Sequence, residues 1–366
     1  MQLTATATAS GRCAPLAVPP DITAHLARFR LTLADLLTEA NPKLIKGVDL
    51  ARGVVLHHLP HRALGAAITP GRGGATPSRG FIAQLAHLAE AEGLADAARL
   101  WNGCPGATAG CAAGCINWTG RGGLGWQVAA CRGRRTLAMI ADPVTYGRAI
   151  LWATCRQWAT AQAQGVPLAL RLRGTDEGPA CGWHRLRFRV TLAEALALGR
   201  RFGLAVTPGE AVTLAEALAC GLEGPRPTLH LYDYSKLSVT GPLGLEAQRA
   251  AGWDITASLA ADRATACRDA AAAIGAGFRL AVPVAIGRGQ AHPVALTLEA
   301  QGRPPVTVAA VNGDLSDHRW ADPHGVAVTL RTKLSRGAGP EAAGFSLRAT
   351  PEPQALGDGR VTLTWA

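Results

Sequence analysis

From residue 168 onward the chain repeats one pattern: a short apolar run, a few polar residues, then a helical stretch or a long connection. The runs are Leu168–Arg173, Leu204–Thr207, Thr228–Asp233, Asp254–Ser258, Phe278–Ile286, Val306–Val311 and Val326–Arg331. Helical periodicity falls between several of them, at Thr191–Arg201 and at the Ala-rich Asp262–Ala273. Strands separated in this way cannot pair as tight hairpins, so they predict parallel βα units. With Gly53–Pro60 as an earlier strand, about seven or eight mostly parallel strands fit a closed or incomplete (β/α) barrel. A doubly wound sheet is the alternative.

The rest of the chain surrounds this pattern. Residues 1–20 are a Thr/Ala-rich tail ending in Pro19-Pro20. Asp21 then caps an amphipathic helix through about Glu39, with Ile22, Leu26, Phe29, Leu33 and Leu36 on one face. Residues 1–40 are therefore an N-terminal helical extension, 41–346 a single α/β domain, and 347–366 a C-terminal appendage with a closing strand at Arg360–Trp365. Further helices are expected at Phe81–Leu100 and from Asp142-Pro143 to Gln164, where Gly165 stops the second. No internal repeat of solenoid length is visible.

Apolar residues make up 48% of the 366 positions and charged residues 17%, the balance of a packed protein rather than a disordered one. The formal charge of +11 favours anionic partners such as nucleotides or nucleic acid. No apolar run reaches the ~18 residues needed to cross a bilayer, so no membrane partner is expected. The start lacks a charged segment followed by an apolar one, which predicts a cytoplasmic protein with reduced cysteines.

The polar residues gather where parallel strands end. Thr175, Asp176 and Glu177 follow one strand; Tyr234, Ser235 and Lys236 follow another; Thr256 and Ser258 end a third; Asn312 and Asp314 follow a fourth. In a parallel sheet these ends share one edge, where binding sites form. Each group is also what an ordinary βα turn contains. The expected ligand is a small molecule or nucleotide.

The most chemically pointed stretch is Trp101–Arg121, which places Cys104, Cys111 and Cys115 among Gly, Ala and Pro. Thiolates are soft donors, and small residues let a backbone fold around an ion, so the loop suits a metal or an iron–sulfur cluster. The spacing C-x6-C-x3-C is not the paired-arm pattern of structural zinc. Buried structural thiols and a disulfide remain the other readings. His57, His58 and His61 are weaker metal candidates, equally readable as strand-end histidines. Gly120, Gly122, Gly123 and Gly125 form a weak phosphate-cradle signal.

Taken in order, Asn41-Pro-Lys-Leu44, the Cys104–Cys115 loop, Gly174-Thr175, Tyr232-Asp-Tyr-Ser-Lys236, Thr256-Ala-Ser258, Asn312-Gly-Asp314 with Asp317, Arg319 and Asp322, and Gly344-Phe345 resemble the gene-product-88-like family of phage and plasmid proteins, a family without an assigned reaction. The resemblance implies a mobile-element origin. Against it, Arg173 replaces a small polar residue, residues 184–222 read as an insertion, and Lys333-Leu-Ser-Arg336 only loosely follows the family's basic ending. The loop also resembles that of radical S-adenosylmethionine enzymes. These hold a [4Fe–4S] cluster by three close cysteines on a βα-barrel, with the methionine part of S-adenosylmethionine on the fourth iron. Here the spacing is stretched and Gly114 stands where an aromatic is usual.

That resemblance implies a cluster on Cys104, Cys111 and Cys115, with Thr175, Asp176, Tyr234, Lys236, Ser258, Asn312 and Asp314 around cofactor or substrate. The alternative is a nucleic-acid-associated protein with the loop as a structural zinc or cluster site, using Arg121, Arg132, Arg134 and Arg135 on phosphates.

Overall fold

The structure, a computed structural model, describes residues 18–38, 50–60, 64, 79–113, 115, 126–220, 228–287, 289–332 and 344–365. The chain begins with helix Pro20–Arg28, the 3-10 turn Leu33–Asp35 and strand β1 (Leu37–Thr38). Strand β2 (Arg52–Leu56) precedes helices Arg79–Ala91, Ala95–Leu100, Ala109–Ala113, Trp126–Ala141 and Pro143–Ala163. After β3 (Leu168–Arg171) come β4 (Phe188–Arg189), helix Leu192–Phe202, β5 (Ala211–Val212) and helix Leu214–Ala219. Then follow β6 (Leu229–Ser235), helix Leu245–Ala250, β7 (Asp254–Ser258), helix Ala266–Gly275 and β8 (Arg279–Ala285). The chain closes with β9 (Ala295–Ala300), β10 (Val306–Asn312), β11 (Ala327–Arg331), β12 (Leu347–Arg348), β13 (Gln354–Leu356) and β14 (Gly359–Thr364).

Twelve strands make one mixed, mostly parallel sheet in the order β1-β2-β3-β6-β7-β8-β11-β10-β9-β14-β13, with β12 beside β8. Every neighbour from β2 to β10 is parallel. β1, β9, β14 and β13 pair antiparallel at the two ends; short connections reverse the chain between β9 and β10 and between β13 and β14. Among the described residues no ladder joins the β1 end to the β13 end, so the pairings do not close a barrel. The sequence reading also undercounts the sheet, having no signal for β9 or β13.

The last residues join the sheet. β12 pairs with β8 and β14 with β9, and Leu347, Val361 and Leu363 are buried. The first helix is shorter than expected. It is capped at Pro19 and ends at Arg28, and Arg30 then adopts φ 54°, so Leu33 and Leu36 reach the core from a separate turn. Gly93, at φ 68°, likewise splits Phe81–Leu100 into two helices. The helix at Asp142 forms as expected: Asp142 Oδ1 accepts from the amides of Val144 at 3.0 Å and Thr145 at 2.9 Å, satisfying two otherwise unpaired donors.

Side chains alternate across the sheet, and the two faces differ. Leu168, Leu170, Leu231, Ile255, Ala257, Leu280, Val282 and Val284 are buried in the main apolar core. The register puts Ala169 beside His230, Tyr232 beside Asp254, Tyr234 beside Thr256, and Thr256 beside Arg279, a polar face. The segment after β10 packs on it. Asp317 accepts from Arg171 at 3.0 Å and from the Tyr234 hydroxyl at 3.2 Å, while the Trp320 ring stacks on His230 at 3.7 Å between centroids.

A short repeat escaped the sequence reading. Val-Thr-Leu-Ala-Glu-Ala-Leu-Ala occurs at 190–197 and again at 212–219, inside the segment read as an insertion. Each copy is a strand end followed by a helix, and β4 and β5 pair antiparallel.

Candidate functional site

Because β2 through β10 run parallel, their carboxyl ends share one edge, as the strand-end residues predict. Gly174 marks the end of β3. A Cβ there would sit 2.2 Å from His57 Nδ1 and 2.7 Å from the Leu56 carbonyl, so only glycine allows the two strand ends to approach. The Gly174 amide donates to Leu56 O at 2.9 Å, and Thr175 Oγ donates to His58 O at 2.6 Å.

The cysteine loop lies across this edge. The Glu177 amide donates to Gly103 O at 2.6 Å, and Cys104 Sγ reaches the Thr175 carbonyl at 3.6 Å. Gly106 packs so closely on Lys236 that an added Cβ would be 3.2 Å from Lys236 Cβ. Arg263 ties the two together, donating to Lys236 O at 2.9 Å and Gly106 O at 2.6 Å. Asp262 holds the far end of the loop, accepting from Thr108 Oγ at 2.6 Å and the Gly110 amide at 2.8 Å. Cys104, Asp176 and Lys236 therefore share one edge.

Beneath the loop is a buried polar cluster. His58 Nδ1 is 3.0 Å from Asp176 Oδ2 and His58 Nε2 is 3.2 Å from the Tyr146 hydroxyl; all three residues are buried. Asp176 Oδ2 also accepts from the Gly178 amide at 3.2 Å. Burial, followed by the guanidinium groups of Arg132, Arg171 and Arg135, holds His57 well below the usual imidazole pKa. Burial, followed by Arg135, pushes Arg132 down to about 10, with Cys115, Cys131 and Asp176 acting in the other direction. Cys115 and Asp176 thus both feel the Arg132 charge. Among the described residues His57 Nδ1 and Asp176 Oδ1 of this cluster are buried without a hydrogen-bond partner, and unmet buried polar groups call for an explanation.

A second group forms around Asp233, which is fully buried. Burial pushes its carboxyl up to about 7, against the lowering effect of Arg173 and Arg171. These guanidiniums lie 3.9 and 3.6 Å away. Glu177 accepts from Ser235 Oγ at 3.1 Å and from the Lys236 amide at 3.2 Å. Lys236 Nζ donates to Ser258 Oγ at 3.2 Å. Beside this pair opens a cavity of about 300 Å³ between the sheet and helix Ala266–Gly275.

Some expected members fall elsewhere. Tyr234 turns to Asp317 and stacks under Arg171, whose guanidinium carbon lies 4.5 Å from its ring centroid. Asn312 and Asp314 end β10, which is separated from β6 by β7, β8 and β11. Asn312 accepts from the Asp314 amide at 2.9 Å, while Asp314 faces His292 at 3.5 Å and accepts from the Arg331 amide at 3.2 Å. Asn312 and Asp314 therefore form a separate group farther along the edge. Arg132 and Arg135 are buried, and Arg135 donates to His57 O at 3.2 Å. These two belong to the interior, not to a phosphate-reading surface. Trp118, Arg121, His61, residues 41–44, the glycines at 120–125 and residues 333–336 lie outside the described residues.

The three cysteines do not form a ligand set as placed. Among the described residues no group of three or more His, Cys, Asp or Glu side chains is arranged to hold a metal ion, and this covers Cys104, Cys111, Cys115, His57 and His58. Sequence reasoning missed Arg171, Tyr146, Arg263 and Asp262 as parts of the edge. Arginines alternating with leucines in Leu168–Arg173 were a usable signal, since an apolar strand carries charge only where that charge is partnered. No described helix is long and apolar enough to cross a membrane. Comparisons with protein-family models, with curated proteins and with solved structures found no match to this chain.

Proposed function

We propose that the protein is an enzyme acting on a small molecule at the carboxyl edge of its parallel sheet, with the cysteine loop as the cover of that site. One observation carries the reading: the loop is fixed across the strand ends at Thr175, Glu177, Lys236 and Asp262, above a buried cluster with unmet polar atoms. Parallel α/β sheets place ligands at this edge. We read the β2–β10 run as an incomplete (β/α) barrel, its polar face turned inward, and the protein as cytoplasmic and related to the phage and plasmid family it resembles.

The second reading gives this edge radical S-adenosylmethionine chemistry, and the loop's position favours it. A [4Fe–4S] cluster needs Cys104, Cys111 and Cys115 drawn together, which their present arrangement does not provide, so no reaction step is derived through it. Zinc on the same thiols is the form that the nucleic-acid alternative takes; Arg132 and Arg135 do not serve that reading.

One experiment separates these readings. The chain is purified anaerobically, treated with iron and sulfide, and dialysed against S-adenosylmethionine at equilibrium. Brown protein that binds the nucleoside, with both properties lost in the Cys104/Cys111/Cys115→Ala variant, supports the cluster reading. Binding without iron supports the small-molecule site alone. Colourless, folded protein containing one zinc per chain would sink the radical reading.

A further inference from the structure

The cavity beside Lys236 differs from the polar cluster under the cysteine loop. It lies on the helix side of the sheet, and most of its wall is apolar. Leu245, Ala257, Ala270, Ala273 and Leu280 form its floor. Alanines on helix Ala266–Gly275 face the strands here, and their small side chains leave the space open. Its mouth is charged. Lys236, Arg263, Arg268 and Arg303 line it, against one carboxylate, Asp269. Asp269 is already engaged, accepting from Thr265 Oγ at 2.6 Å and facing Arg263 at 3.7 Å. Arg263 is committed to the Lys236 and Gly106 carbonyls.

Lys236 is different. Its ammonium donates to the neutral Ser258 hydroxyl at 3.2 Å, while the cavity's one carboxylate, Asp269, pairs with Arg263. An ammonium at the rim of an apolar cavity, held only by a hydroxyl, is available to an anion, and a charge-assisted hydrogen bond to that anion is stronger than the one to the hydroxyl. The cavity's size, about 300 Å³, is at the small end of ligand pockets.

We propose that this cavity binds a small amphiphile with an apolar body and one anionic head, a carboxylate or a phosphate. The head sits against the Lys236–Ser258 pair, with Arg268 at the rim, and the body lies on the alanine and leucine floor. The inference rests on reading the carboxyl edge as the binding edge, but it uses neither the thiols nor the cluster beneath the loop. Failure of the iron and S-adenosylmethionine experiment therefore leaves it standing, and the reverse holds too.

The test is calorimetric titration of the full chain with octanoate, octyl phosphate and octylammonium. Octanoate or octyl phosphate is expected to bind, the tighter of the two identifying the head group, and octylammonium is not. Lys236→Met should weaken anion binding about tenfold, the effect of losing one charge-assisted hydrogen bond. Lys236→Arg should retain most of it. Ala273→Leu, which fills the floor, should weaken binding while leaving the charges unchanged, and added salt should weaken the head-group contribution. Equal binding of octanoate and octylammonium would overturn the proposal. So would wild-type affinity in a folded Lys236→Met variant, or no binding of either anion to folded wild-type protein.

Discussion

Two stretches of this chain carry the same eight residues, at 190–197 and 212–219, and turn different, overlapping faces to the protein. Both begin a helix with the same device. Thr191 and Glu194, and again Thr213 and Glu216, form reciprocal capping boxes with amide–oxygen distances of 2.8 and 3.2 Å. Beyond the caps the copies diverge. In the second, Leu214 and Leu218 are 2% and 3% exposed; in the first, the matching Leu192 and Leu196 are 63% and 48% exposed. The first copy instead buries Glu194 and Leu198, while Ala195 and its counterpart Ala217 are buried in both.

The cause lies in helix Pro143–Ala163. Its Arg148 meets Glu194 at 2.7 Å and also binds Asp21, and Trp152 Nε1 reaches Glu194 at 3.4 Å. This polar anchor rolls the Glu194 stripe inward and the Leu192/Leu196 stripe outward, because the two stripes lie on different sides of the helix with the Ala195 position between them. The second copy has no such anchor. Beyond its cap, Glu216 pairs with the exposed Arg187 at 2.9 Å, and the leucines become the buried face. The lesson is that capping is local, whereas the choice of face is made by a partner elsewhere in the chain.

Identical sequence allows identical substitutions to be compared. The largest contrast is expected for leucine. Leu218→Ala should cost about 2–5 kcal/mol, the usual range for a buried leucine, and Leu196→Ala less than about 0.5 kcal/mol. Chemical denaturation of the two variants measures both, and equal costs would break the comparison. Next comes the glutamate. Glu194→Gln should cost roughly 2 kcal/mol, because Arg148 then loses a buried charged partner and keeps only the half-exposed Asp21. Glu216→Gln should cost less than about 0.5 kcal/mol, since its ion pair is exposed.

The smallest effect is one of pH. The Thr213 amide, followed by Arg187, holds the Glu216 carboxyl below its ordinary value near 4.5. A carboxylate depressed in the folded state stabilises it above that value and loses the contribution as pH falls through the folded one. Denaturation midpoints of wild type and Glu216→Gln should therefore differ slightly at neutral pH and converge below pH 4.5. A difference that grows in acid would refute the capping role.

The candidate site was legible to the same depth as the helices. Thr175, Asp176, Lys236 and Ser258 were readable as strand-end residues, and they do share an edge, because parallel pairing follows from the order of short strands and helices. What each would touch was not readable. His58 reaches Asp176 across 118 positions, and Gly110 reaches Asp262 across 152; no local pattern encodes such pairs. Asn312 and Asp314 resemble the other strand ends equally well in sequence, yet the sheet order inserts β11 between β8 and β10 and carries them away. The cysteines were legible as a loop, but their seat on Thr175 depends on the chain between them and β3.

Sequence alone determined the caps at Asp142, Thr191 and Thr213, the helix stop at Gly165, and the alternation that gives each strand two faces. All of these rest on interactions within about four residues, which every copy of the sequence repeats. Tertiary structure alone decided which face of helix Leu192–Phe202 is buried, which arginines are interior, and that Lys236 faces Ser258. Those outcomes depend on burial, and burial is fixed by what packs from elsewhere: Arg148 stands 46 residues from Glu194, and its charge, not the helix's own residues, sets the roll.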